Sequence, residues 1–88
     1  MKILKIGAKW CPDCEIMVPR WKEIEQENPW LKTEYIGADE NPEVINKYKV
    51  LSLPCFIFFD SQDQEILRMS KTIEKDVLLK AILDNKDK

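Results

Sequence analysis

The segment Ala8-Lys9-Trp10-Cys11-Pro12-Asp13-Cys14 sets two thiols three residues apart, between a short apolar run (Ile3, Leu4, Ile6) and a proline that can start a helix. Lys2–Gly7 reads as a mostly buried strand and Gly7–Trp10 as a loop. Proline suits the first helical position, where its missing N–H would have no intrahelical partner. Asp13 and Glu15 fall in the first turn, where the helix dipole favours negative charge. Cys14, Met17, Trp21 and Ile24 then recur at helical spacing and form a buried stripe. Two thiols one turn apart can close a disulfide with little backbone movement. Cys11 falls at the cap, where free N–H groups and the positive helix end favour its thiolate, the species that attacks disulfides. Cys14, inside the first turn, is expected to be less exposed and to resolve a mixed disulfide on Cys11. A C-x-x-C pair that follows a strand and opens a helix reads as redox. The other readings are half of a zinc site, which would need a second chain, or a static staple.

Outward from this segment, Pro19 is expected to kink the first helix and Asn28-Pro29 to end it. Lys32–Gly37 alternates and reads as a strand. Asn41-Pro42 opens a short helix to about Tyr48, with Asn41 as cap and Val44, Ile45 and Tyr48 on its buried side. Cys55–Phe59 is a continuous apolar run, as expected of a central strand covered on both faces. Asp60–Asp63 is a polar turn, and Gln64–Ser70 a fourth strand. Thr72 is expected to cap a last helix over roughly Ile73–Asn85, with Val77, Leu78, Ala81 and Ile82 facing inward. The order β-α-β-α-β-β-α implies an α/β fold, a sheet with helices on both faces.

The 88 residues are expected to form one domain, residues 1–88. Fourteen Lys and Arg against sixteen Asp and Glu leave a net charge of −2. Both signs are spread along the chain with no basic stripe, which argues against nucleic acid as a partner. No apolar run reaches the roughly 20 residues of a membrane helix. No export signal is read at the N-terminus, so a cytoplasmic, reducing location is expected. There is no histidine, which excludes Ser-His and Cys-His nucleophile pairs and His-ligated metal. Cys11, Cys14 and Cys55 are too few for a four-thiolate zinc site within one chain.

Taken together, these features resemble the thioredoxin-like family over nearly the whole chain. The residues that carry the resemblance are Ala8-x-Trp10-Cys11-x-x-Cys14, the helix proline Pro19, and the turn Asp39-Glu40-Asn41-Pro42. Lys47-Tyr48-Lys49-Val50 and Ser52-Leu53-Pro54 ahead of the Cys55–Phe59 run complete it. The resemblance implies a minimal thioredoxin-like fold with a mixed four-stranded sheet. It also implies Cys11 as nucleophile, Cys14 as resolving thiol, and a cis Pro54 facing Cys11. The backbone of Leu53 would pair with an extended substrate segment as an added strand. Trp10 is expected to pack beside the disulfide and shield it.

Several positions depart from the family pattern. The family's usual N-terminal strand and helix are absent from this sequence, which has a glutaredoxin-like length. Lys5 stands where thioredoxins carry a buried acid thought to assist proton removal from the resolving thiol. An ammonium there would favour thiolates; the alternative is that Lys5 snorkels to solvent at a sheet edge. Pro12-Asp13 replaces Gly-Pro, and Asp13 either opposes the thiolate or serves the helix start. Ser70 or Lys71 stands where a glycine is expected. Cys55 is either a small buried hydrophobe or a third thiol near Cys11.

The expected function is therefore reduction of protein disulfides through a Cys11 mixed disulfide resolved by Cys14. No cofactor is expected beyond that disulfide. The chain is expected to act as a monomer, recycled by a thioredoxin-reductase-like enzyme or by glutathione. Two alternatives stay open. One is a glutathione-dependent glutaredoxin-like enzyme, favoured by Pro12 and by length but lacking the Gly-Gly-acidic element after the Pro54 strand. The other is a non-catalytic metal, iron–sulfur or adaptor module.

Overall fold

The computed structural model describes all residues, Met1–Lys88. Its elements are β1 (Lys2–Gly7), α1 (Pro12–Glu27), β2 (Lys32–Gly37), α2 (Glu43–Lys47), β3 (Cys55–Phe59), β4 (Glu65–Ser70) and α3 (Lys75–Asn85). The four strands form one mixed sheet in the order β2-β1-β3-β4. β1 runs parallel to β2, with Lys5 opposite Tyr35 and Gly7 opposite Gly37. It runs antiparallel to β3, with Lys5 opposite Phe56 and Ile6 opposite Cys55. β3 pairs antiparallel with β4, with a register shift between Phe58 and Phe59.

Strand alternation divides the core in two, because successive side chains point to opposite faces. Ile3, Phe56 and Phe58 join Met17, Trp21 and Ile24 of α1 and Leu78, Ala81 and Ile82 of α3 on one face. Leu4, Ile6, Cys55 and Ile57 join Val44 and Val50 on the other. The apolar run of β3 is thus covered on both sides, as its composition anticipates. Trp21 meets Phe56 edge to face at 5.3 Å between ring centroids, an arrangement that suits the ring quadrupoles.

Three expectations about element ends and one about a buried face need correction. Thr72 does not cap the last helix: residue 74 is still extended (φ −66, ψ 148) and the helix begins at Lys75. Ile73 is instead tied to α1. Arg20 Nη1 donates to its carbonyl at 2.6 Å, and its N–H faces Met17 Sδ at 3.5 Å. Asn41 does not cap α2 through its side chain; Pro42 occupies the cap position, and Asn41 Nδ2 turns back toward the Gly37 carbonyl at 3.4 Å. Val77 is 47% exposed rather than inward, because the stripe of α3 runs through Leu78, Ala81 and Ile82. The fourth strand begins at Glu65, not Gln64, since Gln64 serves the turn: its N–H donates to Asp60 Oδ1 at 2.9 Å.

Candidate functional site

At the junction of β1 and α1, Cys11 is the N-cap residue, with φ −97 and ψ 108. Its extended backbone turns the chain out of the loop, and Pro12 follows at the start of the helix. The Cys11 Sγ accepts the Cys14 N–H at 3.2 Å, the hydrogen bond an N-cap side chain makes to the free donors of the first turn. Asp13 and Glu15 sit in that turn, where the helix dipole favours negative charge. Cys11 and Cys14 lie at disulfide distance, with Cα atoms 5.2 Å apart. That is inside the range a disulfide spans.

Both sulfurs belong to a small apolar cluster with Ala8, against which Leu53 packs. In this bonded state Cys11 is 5% and Cys14 is 7% exposed. The expected difference in exposure between them is absent, because Leu53 and Ala8 cover Cys11. The Leu53–Pro54 peptide bond is cis. Pro54 is buried, and its carbonyl accepts the Lys71 N–H at 2.8 Å. Lys71 holds a positive φ of 70, in the region where glycine is the unstrained choice.

A cleft of about 430 Å³ runs along this edge between Trp10-Cys11-Pro12-Asp13 and Val50-Leu51-Ser52-Leu53. Trp10 does not shield the disulfide: it is 71% exposed on the rim, and Leu51 opposite is 98% exposed. The Leu53 backbone takes part in none of the hydrogen bonds that tie the loops and turns.

Two further candidates are placed elsewhere. Cys55 is free and buried, in the apolar cluster of the α2 face rather than in the cluster that holds Cys11 and Cys14. Burial pushes its thiol pKa up, against the opposing pull of a Ser70 hydrogen bond and Arg68, so it behaves as a small apolar side chain. No group of three or more His, Cys, Asp or Glu side chains is placed to hold a metal ion. Lys5 lies on a central strand, not at a sheet edge. It neither snorkels nor pairs with a thiol: its Nζ is 2.5 Å from Glu25 Oε2 and 5.7 Å over the Trp21 ring.

Three residues beside Lys5 or Cys14 were not singled out from the sequence. Glu25 supplies the carboxylate for Lys5 and also accepts from Thr33 Oγ1 at 3.0 Å. Its position four residues after Trp21, flanking the buried stripe of α1, was the available signal. Gly7 approaches Cys14 so closely that a Cβ there would stand 3.3 Å from its Sγ. Tyr35 stands 3.3 Å from that same point. Burial first, then Asp39 and Glu40, push the Tyr35 phenol pKa up, with Lys9 opposing.

Residues 1–80 match a family model described as thioredoxin. The chain is similar to a thioredoxin of Bacillus subtilis, 36% identical over 64 residues, which cover 72% of this chain and 60% of that one. It is also similar to a bifunctional thioredoxin reductase/thioredoxin of Mycobacterium leprae, 33% identical over 84 residues, covering 93% of this chain and 18% of that one. Among solved structures, the thioredoxin NaTrxh of Nicotiana alata superposes with a TM-score of 0.87 at 26% identity, over 96% of this chain and 71% of that one. The chain spans about half the length of curated relatives such as the rice thioredoxin H5, of which it covers 46%.

Proposed function

Because the chain belongs to the thioredoxin family, we propose that it is a thiol–disulfide oxidoreductase that reduces disulfides in protein substrates. The observation that carries this reading is the Cys11–Cys14 pair at disulfide distance on the first turn of α1. The helix end that donates the Cys14 N–H to Cys11 Sγ would also stabilise a Cys11 thiolate.

In the proposed cycle the Cys11 thiolate attacks one sulfur of a substrate disulfide. A Cys11–substrate disulfide forms, and the other substrate sulfur leaves as a thiolate that takes up a proton. Cys14 then loses its proton and attacks Cys11 Sγ. The Cys11–Cys14 disulfide forms and the second substrate sulfur leaves reduced. Two electrons pass from the dithiol to the substrate, and an external two-electron reductant must restore the dithiol.

Substrate binding is assigned to the cleft rimmed by Trp10 and Leu51. The Leu53 backbone, outside the loop hydrogen-bond network, is available to pair with an extended segment as an added strand. The apolar rim favours substrates with apolar side chains beside the target cysteine. A reductase partner is supported by the Mycobacterium leprae relative, whose name joins thioredoxin reductase and thioredoxin in one chain.

The test uses insulin as the disulfide substrate and dithiothreitol as the reductant. Cys11→Ser should bring turnover to background. Pre-reduced Cys14→Ser, freed of dithiothreitol before insulin is added, should accumulate a mixed disulfide on Cys11, detected by intact mass. Turnover surviving in Cys11→Ser, or no adduct in Cys14→Ser, would overturn the assignment.

A further inference from the structure

A second cavity of about 320 Å³ lies between the sheet and α1, lined by Cys14 and Pro54 and sharing no lining residue with the substrate cleft. That size falls at the small end of ligand sites, which span about 300–1,000 Å³. Its walls are largely apolar, with Met17, Val18 and Phe56 among them, and Cys14 also lines it. Gly7 keeps it open: any side chain there would begin 3.3 Å from Cys14 Sγ and from the Tyr35 ring.

The polar groups of this cavity are unbalanced in two ways. Its charged residues are Lys5, Lys22 and Glu25; Lys5 and Glu25 pair with each other, which leaves the exposed Lys22 as the cation without a partner. The one carboxylate already accepts from both Lys5 and Thr33. Second, Trp21 also lines the cavity and is 3% exposed. Its indole N–H is the one buried side-chain polar atom with no hydrogen-bond partner. Buried indole N–H groups ordinarily find an acceptor. Apolar walls, surplus positive charge and an unmatched buried donor are jointly complementary to one ligand chemistry.

We propose that this cavity binds a small apolar monocarboxylic acid. Its hydrocarbon part lies against Met17, Val18 and Phe56. Its carboxylate accepts the Trp21 indole N–H and offsets the charge of Lys22. The ligand would sit beside the Cys14 sulfur, among residues that do not line the substrate cleft. The site requires no reaction at either thiol, so it stands or falls separately from the proposed reductase activity.

The test is a titration of the oxidised, ¹⁵N-labelled protein with phenylacetate, following the Trp21 indole N–H resonance, assigned with Trp21→Phe. Phenylacetamide, of the same shape without the charge, is titrated in parallel. Val18→Glu is the matched variant: at 60% exposure it leaves the core alone and sets a carboxylate at the cavity wall. The expected result is a saturable shift with phenylacetate, weakened about tenfold for the amide and about tenfold in Val18→Glu, where a factor of ten equals about 1.4 kcal/mol. A shift that fails to saturate, an amide that binds as well as the acid, or a natively folded Val18→Glu of unchanged affinity would each overturn the proposal.

Discussion

The two partners of the Lys5–Glu25 ion pair should contribute unequally to stability. Lys5 is the more deeply placed, with side-chain exposures of 16% for Lys5 and 33% for Glu25. Glu25→Gln removes the charge that compensates the ammonium but not the ammonium itself. Exposed pairs contribute about 0–1 kcal/mol, and stranding one member of a fully buried pair costs about 3–5 kcal/mol. At this intermediate burial Glu25→Gln should cost about 2 kcal/mol. The remaining amide oxygen and the Trp21 ring, 5.7 Å from Nζ, offset the loss only in part. Lys5→Met leaves Glu25 with its Thr33 hydrogen bond at 3.0 Å and a third of its surface in water. It also sets a thioether against Trp21, a favourable contact, so its cost should stay below about 1 kcal/mol. The double variant should match Lys5→Met alone, which makes the pair strongly non-additive. The assay is urea unfolding of the reduced protein, with midpoints compared at constant m. For a domain of this size a loss of about 2 kcal/mol lowers Tm by roughly 10 °C. Lys5→Met proving as costly as Glu25→Gln would refute this account of the pair.

Other expectations are as specific. Lys71→Gly should raise stability by about 0.5–1 kcal/mol in the same urea assay. It relieves a non-glycine left-handed residue (φ 70), at the smaller cost of glycine's extra backbone entropy; an unchanged or lower midpoint counts against it. Cys55, buried with a raised thiol pKa, should resist iodoacetamide in the folded, reduced protein while Cys11 reacts, as read by peptide mass. Because its folded pKa is raised, its stabilising contribution is complete below the ordinary thiol value of about 8.5. It is lost as pH rises from there through the folded pKa, so the stability difference from Cys55→Ala should shrink across that alkaline window. Phe56→Ala, which removes a ring 2% exposed and stacked edge-on to Trp21, should cost about 3–5 kcal/mol; a loss under about 1 kcal/mol would contradict its placement at the centre of the core.

The elements legible in the sequence were those written in local chemistry. Proline and two acids marked the start of α1, the apolar run Cys55–Phe59 marked a strand covered on both faces, and C-x-x-C at the strand–helix junction marked the redox pair. What escaped depends on contacts distant along the chain. Thr72 is a good cap by type, but Arg20, 53 residues away in sequence from Ile73, holds the segment extended. Trp10 looked like a shield from its place beside Cys11, yet nothing local decides whether a loop aromatic folds over a disulfide or stands on its rim. Lys5 carried two readings from its neighbours. The third, an ion pair with Glu25, needed the packing of α1 across β1 and a contact 20 residues along the chain. The cavity beside Cys14 depends on Gly7, Tyr35 and α1 together, and no single segment announces it.

The most direct test of the central proposal is an equilibrium redox titration of Cys11 and Cys14 against a dithiothreitol or glutathione buffer, with thiols counted by mass. The account predicts one reversible two-electron transition that forms an intramolecular Cys11–Cys14 disulfide. Its potential should fall in the span from about −270 mV, the thioredoxin value, to about −120 mV, that of a strong oxidant. Absence of an intramolecular disulfide at every poise, or a disulfide that no thiol buffer in that span reduces, would contradict it.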